Sequence, residues 1–170
     1  MADMREVRIE KVTLNIGCGK DQTKLDKAVE LLKSISGAVP VKTFTQKRIQ
    51  EWGLRPGLPI GTKVTLRKKA AAEMLKRLLD AREYKLVDSQ FDENGNLSFG
   101  VHEYIDIPGT KYDPKIGIMG LQACITLERP GFRIKRRKVF QKRIPKRQRV
   151  SKEESINFMR KNFNIKMGEE

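Results

Sequence analysis

The chain has little of what most catalytic or metal-dependent chemistry requires. Its 170 residues include two cysteines, one histidine and one tryptophan, and aromatic residues make up 6% of the whole. Cys18 and Cys124 stand far apart and without metal-ligand spacing, which excludes a stapled disulfide framework and a zinc motif and points to reduced thiols. His102 is the lone histidine, and Glu103 beside it falls on the opposite face of a strand, so the two form no local acid–base pair. No segment approaches the roughly 18 apolar residues of a spanning helix. No basic stretch carries the broad apolar face of a membrane-surface helix. The opening residues Met1-Ala2-Asp3-Met4-Arg5-Glu6 lack the apolar run of a signal peptide. Acidic residues are also scarce, 21 against 36 Lys and Arg, for a formal charge of +15. An excess of that size repels itself in a compact protein, and a polyanionic partner is the simplest reason to tolerate it. These absences describe a soluble, cytoplasmic, nucleic-acid-associated chain with no membrane partner.

The charge is unevenly placed. Arg133, Lys135, Arg136, Arg137, Lys138, Lys142, Arg143, Lys146, Arg147 and Arg149 lie within seventeen residues that hold no acid. Removing these ten leaves 26 basic against 21 acidic residues, or +5 for everything else. A charge run is usually a solvated tail. This one is internal, interrupted by Ile134, Val139, Phe140, Ile144 and Pro145, and followed by a capped helix. Arg-rich segments of this kind order on RNA by neutralising phosphates and releasing counterions. If about half of the ten cations meet phosphates, the log–log salt slope of binding is near −4.

Elsewhere the hydrophobic period alternates between strand and helix. Val12–Ile16 alternates at period two and ends at Gly17-Cys18-Gly19. From Thr23 to Ser36, Leu25, Ala28, Val29, Leu32 and Ile35 recur at helical spacing, with Asp21 or Thr23 as cap and Gly37 beyond the end. Pro40–Thr45 reads as extended, and a polar loop punctuated by Gly and Pro follows from Gln46 to about Pro59. Ile60–Arg67 is a strand with Thr62, Val64 and Leu66 on one side and Lys63, Thr65 and Arg67 on the other. Ala71, Met74, Leu75, Leu78 and Leu79 share one face of a helix from about Lys69 to Ala81. Asp92-Glu93-Asn94-Gly95 is a turn, and Leu97–His102 and Leu121–Leu127 are strands. A last helix, about 152–162, has Ser151 and Glu154 at capping-box spacing and a stripe of Ile156, Met159 and Phe163.

This pattern predicts one α+β domain over 1–170, with a basic insert at 133–149. Its sheet is mainly antiparallel, with helices packed on one face and the other face open. The open side holds Thr13, Asn15, Lys63, Thr65, Arg67, Ser98, His102, Gln122 and Thr126. A one-sided sheet solvates its second face in any case. Here two of the nine positions are cations and none is acidic, which suits phosphate and base-edge contacts. No stacking aromatic lies among them, so this is not an RRM-type platform. Gly17-Cys18-Gly19-Lys20 before a helix invites a phosphate-loop reading, but Asp21 stands where a P-loop needs Ser or Thr. No catalytic residue, metal or cofactor is expected. In the loop Gln46–Gly57, Trp52 among Lys47, Arg48 and Arg55 reads either as a core tryptophan at the loop base or as part of an RNA-touching finger.

Five stretches, taken in order, resemble the 5S rRNA-binding family of universal large-ribosomal-subunit protein five. They are Arg8-Ile9-Glu10-Lys11-Val12-Thr13-Leu14-Asn15-Ile16-Gly17-Cys18-Gly19, Leu54-Arg55-Pro56-Gly57-Leu58-Pro59-Ile60-Gly61-Thr62-Lys63-Val64-Thr65-Leu66-Arg67, Asn94-Gly95-Asn96-Leu97-Ser98-Phe99-Gly100-Val101, Tyr112-Asp113-Pro114-Lys115 and Gly117-Ile118-Met119-Gly120-Leu121. The resemblance implies a non-enzymatic protein of the central protuberance that holds 5S rRNA against large-subunit rRNA beside neighbouring ribosomal proteins. It places Asn15, Thr43, Lys63, Thr65 and Arg67 against 5S rRNA. It also implies that Lys47, Arg48 and Arg55 face peptidyl-site tRNA, with Trp52 anchoring their loop. Arg8 already lies in the first motif, so the helical N-terminal extension of bacterial members is missing, and those members lack the insert Arg133–Arg149. Both departures resemble the archaeal and eukaryotic branch, and the short length points to the archaeal type. The insert's own target is not implied, and large-subunit rRNA is expected for it from charge alone.

Overall fold

A computed structural model of the chain describes residues 4–168. Alternating strands and amphipathic helices appear in the order β1 (Arg8–Gly17), α1 (Gln22–Ser36), β2 (Val41–Phe44), β3 (Pro59–Leu66), α2 (Lys68–Asp80), β4 (Lys85–Val87), β5 (Leu97–Val101), β6 (Leu121–Glu128), α3 (Arg133–Arg136), α4 (Lys152–Phe163) and β7 (Lys166–Gly168). Five strands form one mainly antiparallel sheet in the order β2-β3-β1-β6-β5, and β4 and β7 pair in parallel as a separate ribbon. The α+β class read from periodicity is the class observed.

The described residues gather into two compact units. One comprises Thr13–Leu66 and Phe99–Cys124; the other comprises the residues up to Val12, Arg67–Ser98, and those from Ile125 onward. Strands β1, β5 and β6 each contribute residues to both.

In the first unit, α1 begins where Asp21 accepts from the Thr23 and Lys24 N–H groups, and it ends at Gly37 in the left-handed region, φ +66°. Leu25, Ala28, Leu31, Leu32 and Ile35 are buried, and the helix packs on β3. Lys42 of β2 pairs with Asp26 of α1 at 2.9 Å. Thr62, a polar residue on the inward side of β3, is fully buried and donates to the Val41 carbonyl at 3.4 Å.

In the second unit, α2 buries the five residues its periodicity marks, Ala71, Met74, Leu75, Leu78 and Leu79. Truncating one of these leucines to alanine removes transfer energy and leaves a cavity, a cost of about 2–5 kcal/mol. Helix α4 carries the expected capping box, with Ser151 and Glu154 bonding reciprocally. Its buried face differs by one residue from the expected stripe. Ser155 is fully buried in place of Ile156, because its hydroxyl donates to the Gly95 carbonyl at 3.1 Å and its small side chain permits that approach. Gly95 has φ +74° in the Asn-Gly turn, and a Cβ there would lie 2.7 Å from Val150. Strand β1 starts four residues before the alternating run, since the charges of Arg8–Lys11 hide its period. The three-residue strands β4 and β7 carry no sequence signal.

Candidate nucleic-acid interface

On β3, Lys63 and Thr65 face solvent while Thr62, Val64 and Leu66 are buried, as alternation requires. The β2–β3 register sets Val41 opposite Lys63 and Thr43 opposite Gly61. Gly61 is buried, and a Cβ there would come within 2.8 Å of the Ile16 carbonyl and 3.0 Å of the Thr43 hydroxyl. The absent side chain is what allows Thr43 to lie over this point. On neighbouring strands, the Asn15 amide donates to Gln122 at 3.4 Å. Thr13, Asn15 and Thr43 are half-buried, and Lys63, Thr65, His102 and Gln122 are exposed. Cys124 is exposed at the next outward position of β6 after Gln122. Sequence reading missed it because a thiol gives no polar signal, although its alternation with Ala123 and Ile125 marks the side it faces. This set offers hydroxyls, amides and an ammonium and contains no carboxylate, a chemistry that accepts phosphates and base edges.

The turn after β1 spends its backbone donors within the chain. The N–H groups of Cys18 and Gly19 both donate to the Ile60 carbonyl, at 2.9 and 3.0 Å. The start of α1 is already occupied by the Asp21 carboxylate. The Thr23 hydroxyl, at 2.7 Å, and the Lys24 N–H hold that carboxylate below its ordinary pKa. Among the described residues, no group of three or more His, Cys, Asp or Glu is placed to hold a metal ion.

The loop after β2 is a two-tier hairpin. Thr45 and Leu58 bond at its base, and Ile49 and Leu54 exchange backbone bonds of 3.1 and 2.9 Å near its tip. Gly53, φ +65°, closes the tip by donating to the Gln50 carbonyl. Lys47, Arg48, Trp52 and Arg55 are all exposed. Trp52 is 64% exposed and is not a core residue. Leu54 is buried and takes that part, because its bridge to Ile49 turns it inward while Trp52 lies in the turn.

The second unit carries the basic segment. Apart from Ile144 and Gln148, residues 133–149 are exposed, with a single helical turn at α3. The segment is tied at both ends. At its start, the Arg136 guanidinium donates to Glu10 at 2.6 Å and to the Glu128 carboxylate. Glu128 also accepts from Arg8 at 2.8 and 3.1 Å, and Glu10 from Arg67 at 3.4 Å. Three arginines therefore share two carboxylates, and Glu128 is 5% exposed. At its end, Arg129 reaches the Arg147 carbonyl at 3.5 Å and Glu154 at 2.5 Å, and the Gln148 amide donates to the Met4 carbonyl at 3.2 Å. Of the ten cations, Arg136 alone forms an ion pair among the described residues; Arg133, Lys135, Arg137, Lys138, Lys142, Arg143, Lys146, Arg147 and Arg149 keep theirs unpaired. Arg67, expected on the open face, extends the outward series of β3 and is engaged by Glu10. Glu10 and Glu128 were not singled out from sequence, since nothing local marks a carboxylate that is completed by arginines as far as 57 to 126 residues away, although Arg136 stands only eight residues beyond Glu128.

Comparison with known proteins gives concordant matches. Residues 3–55 match the family model described as Ribosomal protein L5, and residues 59–158 match the model of the C-terminus of that ribosomal family. The chain is 51% identical over 162 residues to the large ribosomal subunit protein uL5 of Sulfolobus acidocaldarius, covering 95% of this chain and 91% of that protein. It is 52% identical over 163 residues to that of Sulfurisphaera tokodaii, covering 95% and 92%. With the uL5 protein of Nanoarchaeum equitans it shares 50% identity over 165 residues, covering 96% and 97%. The chain belongs to the ribosomal protein L5 family and is of its archaeal type.

Proposed function

We propose that this chain is a non-enzymatic structural constituent of the large ribosomal subunit in the cytoplasm, acting over residues 1–170 as one rRNA-binding domain. Its relatives carry the name of large-subunit proteins, and the two family models together span most of its length. The finer reading is that the outward residues Asn15, Thr43, Lys63, Thr65 and Arg67 hold 5S rRNA to the large-subunit rRNA. This would take place in the central protuberance, among neighbouring ribosomal proteins. The observation that carries it is the solvent-facing side of β3, β2 and β1, where Lys63 and Thr65 stand beside Thr43 and Asn15 without a carboxylate. A carboxylate-free row of donors suits an RNA backbone, where each charge-assisted bond is stronger than a neutral one. The hairpin bearing Lys47, Arg48, Trp52 and Arg55 is the part proposed to reach peptidyl-site tRNA, and the basic segment is assigned to large-subunit rRNA.

A gel shift of the purified protein on 5S rRNA, with a scrambled RNA as competitor, tests the reading. Clear preference for 5S rRNA is expected. Asn15→Ala combined with Arg67→Ala should weaken it by about 1–3 kcal/mol for each specific RNA bond removed. Equal affinity for both RNAs at equal salt would mark a nonspecific RNA chaperone instead. Undiminished binding by the double variant would remove the sheet face from the interface.

A further inference from the structure

We infer that the tip of the basic segment, centred on Phe140, is a stacking site for an unpaired RNA base, with cations on either side to hold the flanking phosphates. This rests on the RNA-binding reading above and adds to it a residue and a ligand class.

Three observations carry the inference. The first is exposure: Phe140 is 79% exposed and Val139 beside it 63%, whereas Phe91, Phe99 and Phe163 are buried. Left in water at the end of a loop, the Phe140 side chain contributes nothing to the core and, with Val139, leaves an apolar tip open to a ligand. The second is that the tip is built and not slack. Phe140 has φ +53°, in the left-handed region that an aromatic residue seldom enters. The Arg137 guanidinium holds it there by donating from Nε to the Phe140 carbonyl at 2.8 Å. The returning strand of the loop is tied by the Lys142 N–H on the Ile134 carbonyl at 3.3 Å and by the Gln141 amide on the Lys135 carbonyl. A backbone held in this way has less conformational entropy to lose when the tip meets a ligand. The third is charge. Arg137 and Lys138 precede Phe140 by three and two residues, Lys142 and Arg143 follow it by two and three, and no acid occurs between Arg133 and Arg149.

A ring bracketed by two pairs of cations matches one nucleotide in a single strand, where a flat base lies between successive phosphates. A duplex would satisfy the cations but offers the ring no open base face. An apolar groove on a protein would seat the ring but gives no reason for four flanking cations. An acidic protein is the remaining alternative, and the experiment contains an arm for it.

Binding of the full chain to fluorescently labelled oligoadenylate and to a labelled RNA duplex of equal charge is measured by anisotropy at several salt concentrations. Phe140→Ala is expected to weaken oligoadenylate binding by about 5- to 100-fold, to leave duplex binding nearly unchanged and to keep the salt slope. Phe140→Trp should restore or exceed the parent affinity, and Phe140→Leu, similar in bulk but without a π face, should behave like the alanine variant. Lys138→Ala with Lys142→Ala should weaken both RNAs and lower the slope by about 1–2. Because the ring is exposed, all variants should melt with the parent. Parent-like binding of oligoadenylate by Phe140→Ala or Phe140→Leu overturns the proposal. So does equal weakening on both RNAs, or displacement of oligoadenylate by polyglutamate of the same charge as readily as by unlabelled oligoadenylate. A parent chain that binds neither RNA fails the broader RNA reading as well, which separates that failure from this one.

Discussion

Arg136 bonds through its guanidinium to Glu128, a carboxylate that is almost wholly buried, while its other terminal nitrogen takes Glu10 at 2.6 Å. The pair fixes the first turn of the basic segment to strands β1 and β6 in its own unit. Removing the two partners has unequal consequences. Arg136→Ala leaves one Glu128 oxygen buried without a donor, a cost of about 1–3 kcal/mol. Glu128→Ala leaves Arg8 and Arg136, both half-exposed, which water can solvate. We expect the arginine variant to be the less stable of the two by urea unfolding. The double variant should fall short of the sum of the singles, a coupling that identifies the interaction. Additive effects would mean that the pair contributes nothing of its own.

Gly61 argues a second prediction from steric room. A Cβ at this position meets the Ile16 carbonyl at 2.8 Å, and a backbone atom does not yield as the end of a side chain does. Gly61→Ala should therefore cost about 1–3 kcal/mol through overpacking. It should also displace the Thr43 hydroxyl, 3.0 Å from the same point, so that 5S rRNA affinity falls together with stability. A variant as stable as the parent would show that β2 can shift away at no cost.

How much of this was legible in the sequence depends on the range of the force involved. Helix α2 could be read to the residue, because Ala71, Met74, Leu75, Leu78 and Leu79 declare their shared face within three turns. Lys63 and Thr65 were legible by the same reasoning at period two, and the structure exposes both. The clamp on Glu10 and Glu128 was not, since three arginines from distant parts of the chain complete it. Ser155 was also hidden, because its burial depends on a carbonyl sixty residues away. Trp52 shows the weakness of type-based expectation: tryptophan is usually well buried, and the turn geometry at Gly53 decided otherwise.

The loop after β2 gives a third prediction. Trp52→Ala removes a side chain that touches little, so stability should change by no more than about 0.5 kcal/mol. Leu54→Ala empties a buried position at the Ile49 bridge and should cost about 2 kcal/mol or more. Chemical denaturation of the two variants checks the order. If Trp52→Ala proves the more destabilising, the tryptophan anchors the loop after all.

Asp21 ties acid stability to a helix cap. The Thr23 hydroxyl and the Lys24 N–H depress its pKa in the folded chain. A depressed carboxylate stabilises the fold above its unfolded value of about 3.9 and loses that contribution as pH falls through the folded value. Asp21→Asn keeps an acceptor for the cap and removes the titration. Its melting temperature should therefore lie near that of the parent at neutral pH and fall less steeply below about pH 4. Parallel acid profiles for the two proteins would show that the cap charge has no part in acid unfolding.

The two thiols offer a reading of the interface that needs no substitution. Cys124 is exposed on the outward side of β6, two residues beyond Gln122, whose amide oxygen accepts from Asn15. Cys18 is half-buried in the turn after β1, and burial, followed by the Asp21 charge, pushes its thiol up. The thiolate is the reactive form, so at a pH near 7 a thiol alkylating reagent should modify Cys124 first, and Cys18 should gain as pH rises. An RNA lying on the sheet face covers Cys124, so saturating 5S rRNA should slow its alkylation strongly, whereas a scrambled RNA at the same concentration and salt should not. Mass spectrometry of the alkylated peptides separates the two sites. Equal rates with and without 5S rRNA, under conditions where a gel shift shows the complex formed, would place the RNA on another surface. In that case the carboxylate-free row of Asn15, Thr43, Lys63 and Thr65 would be no more than a solvated side of the sheet.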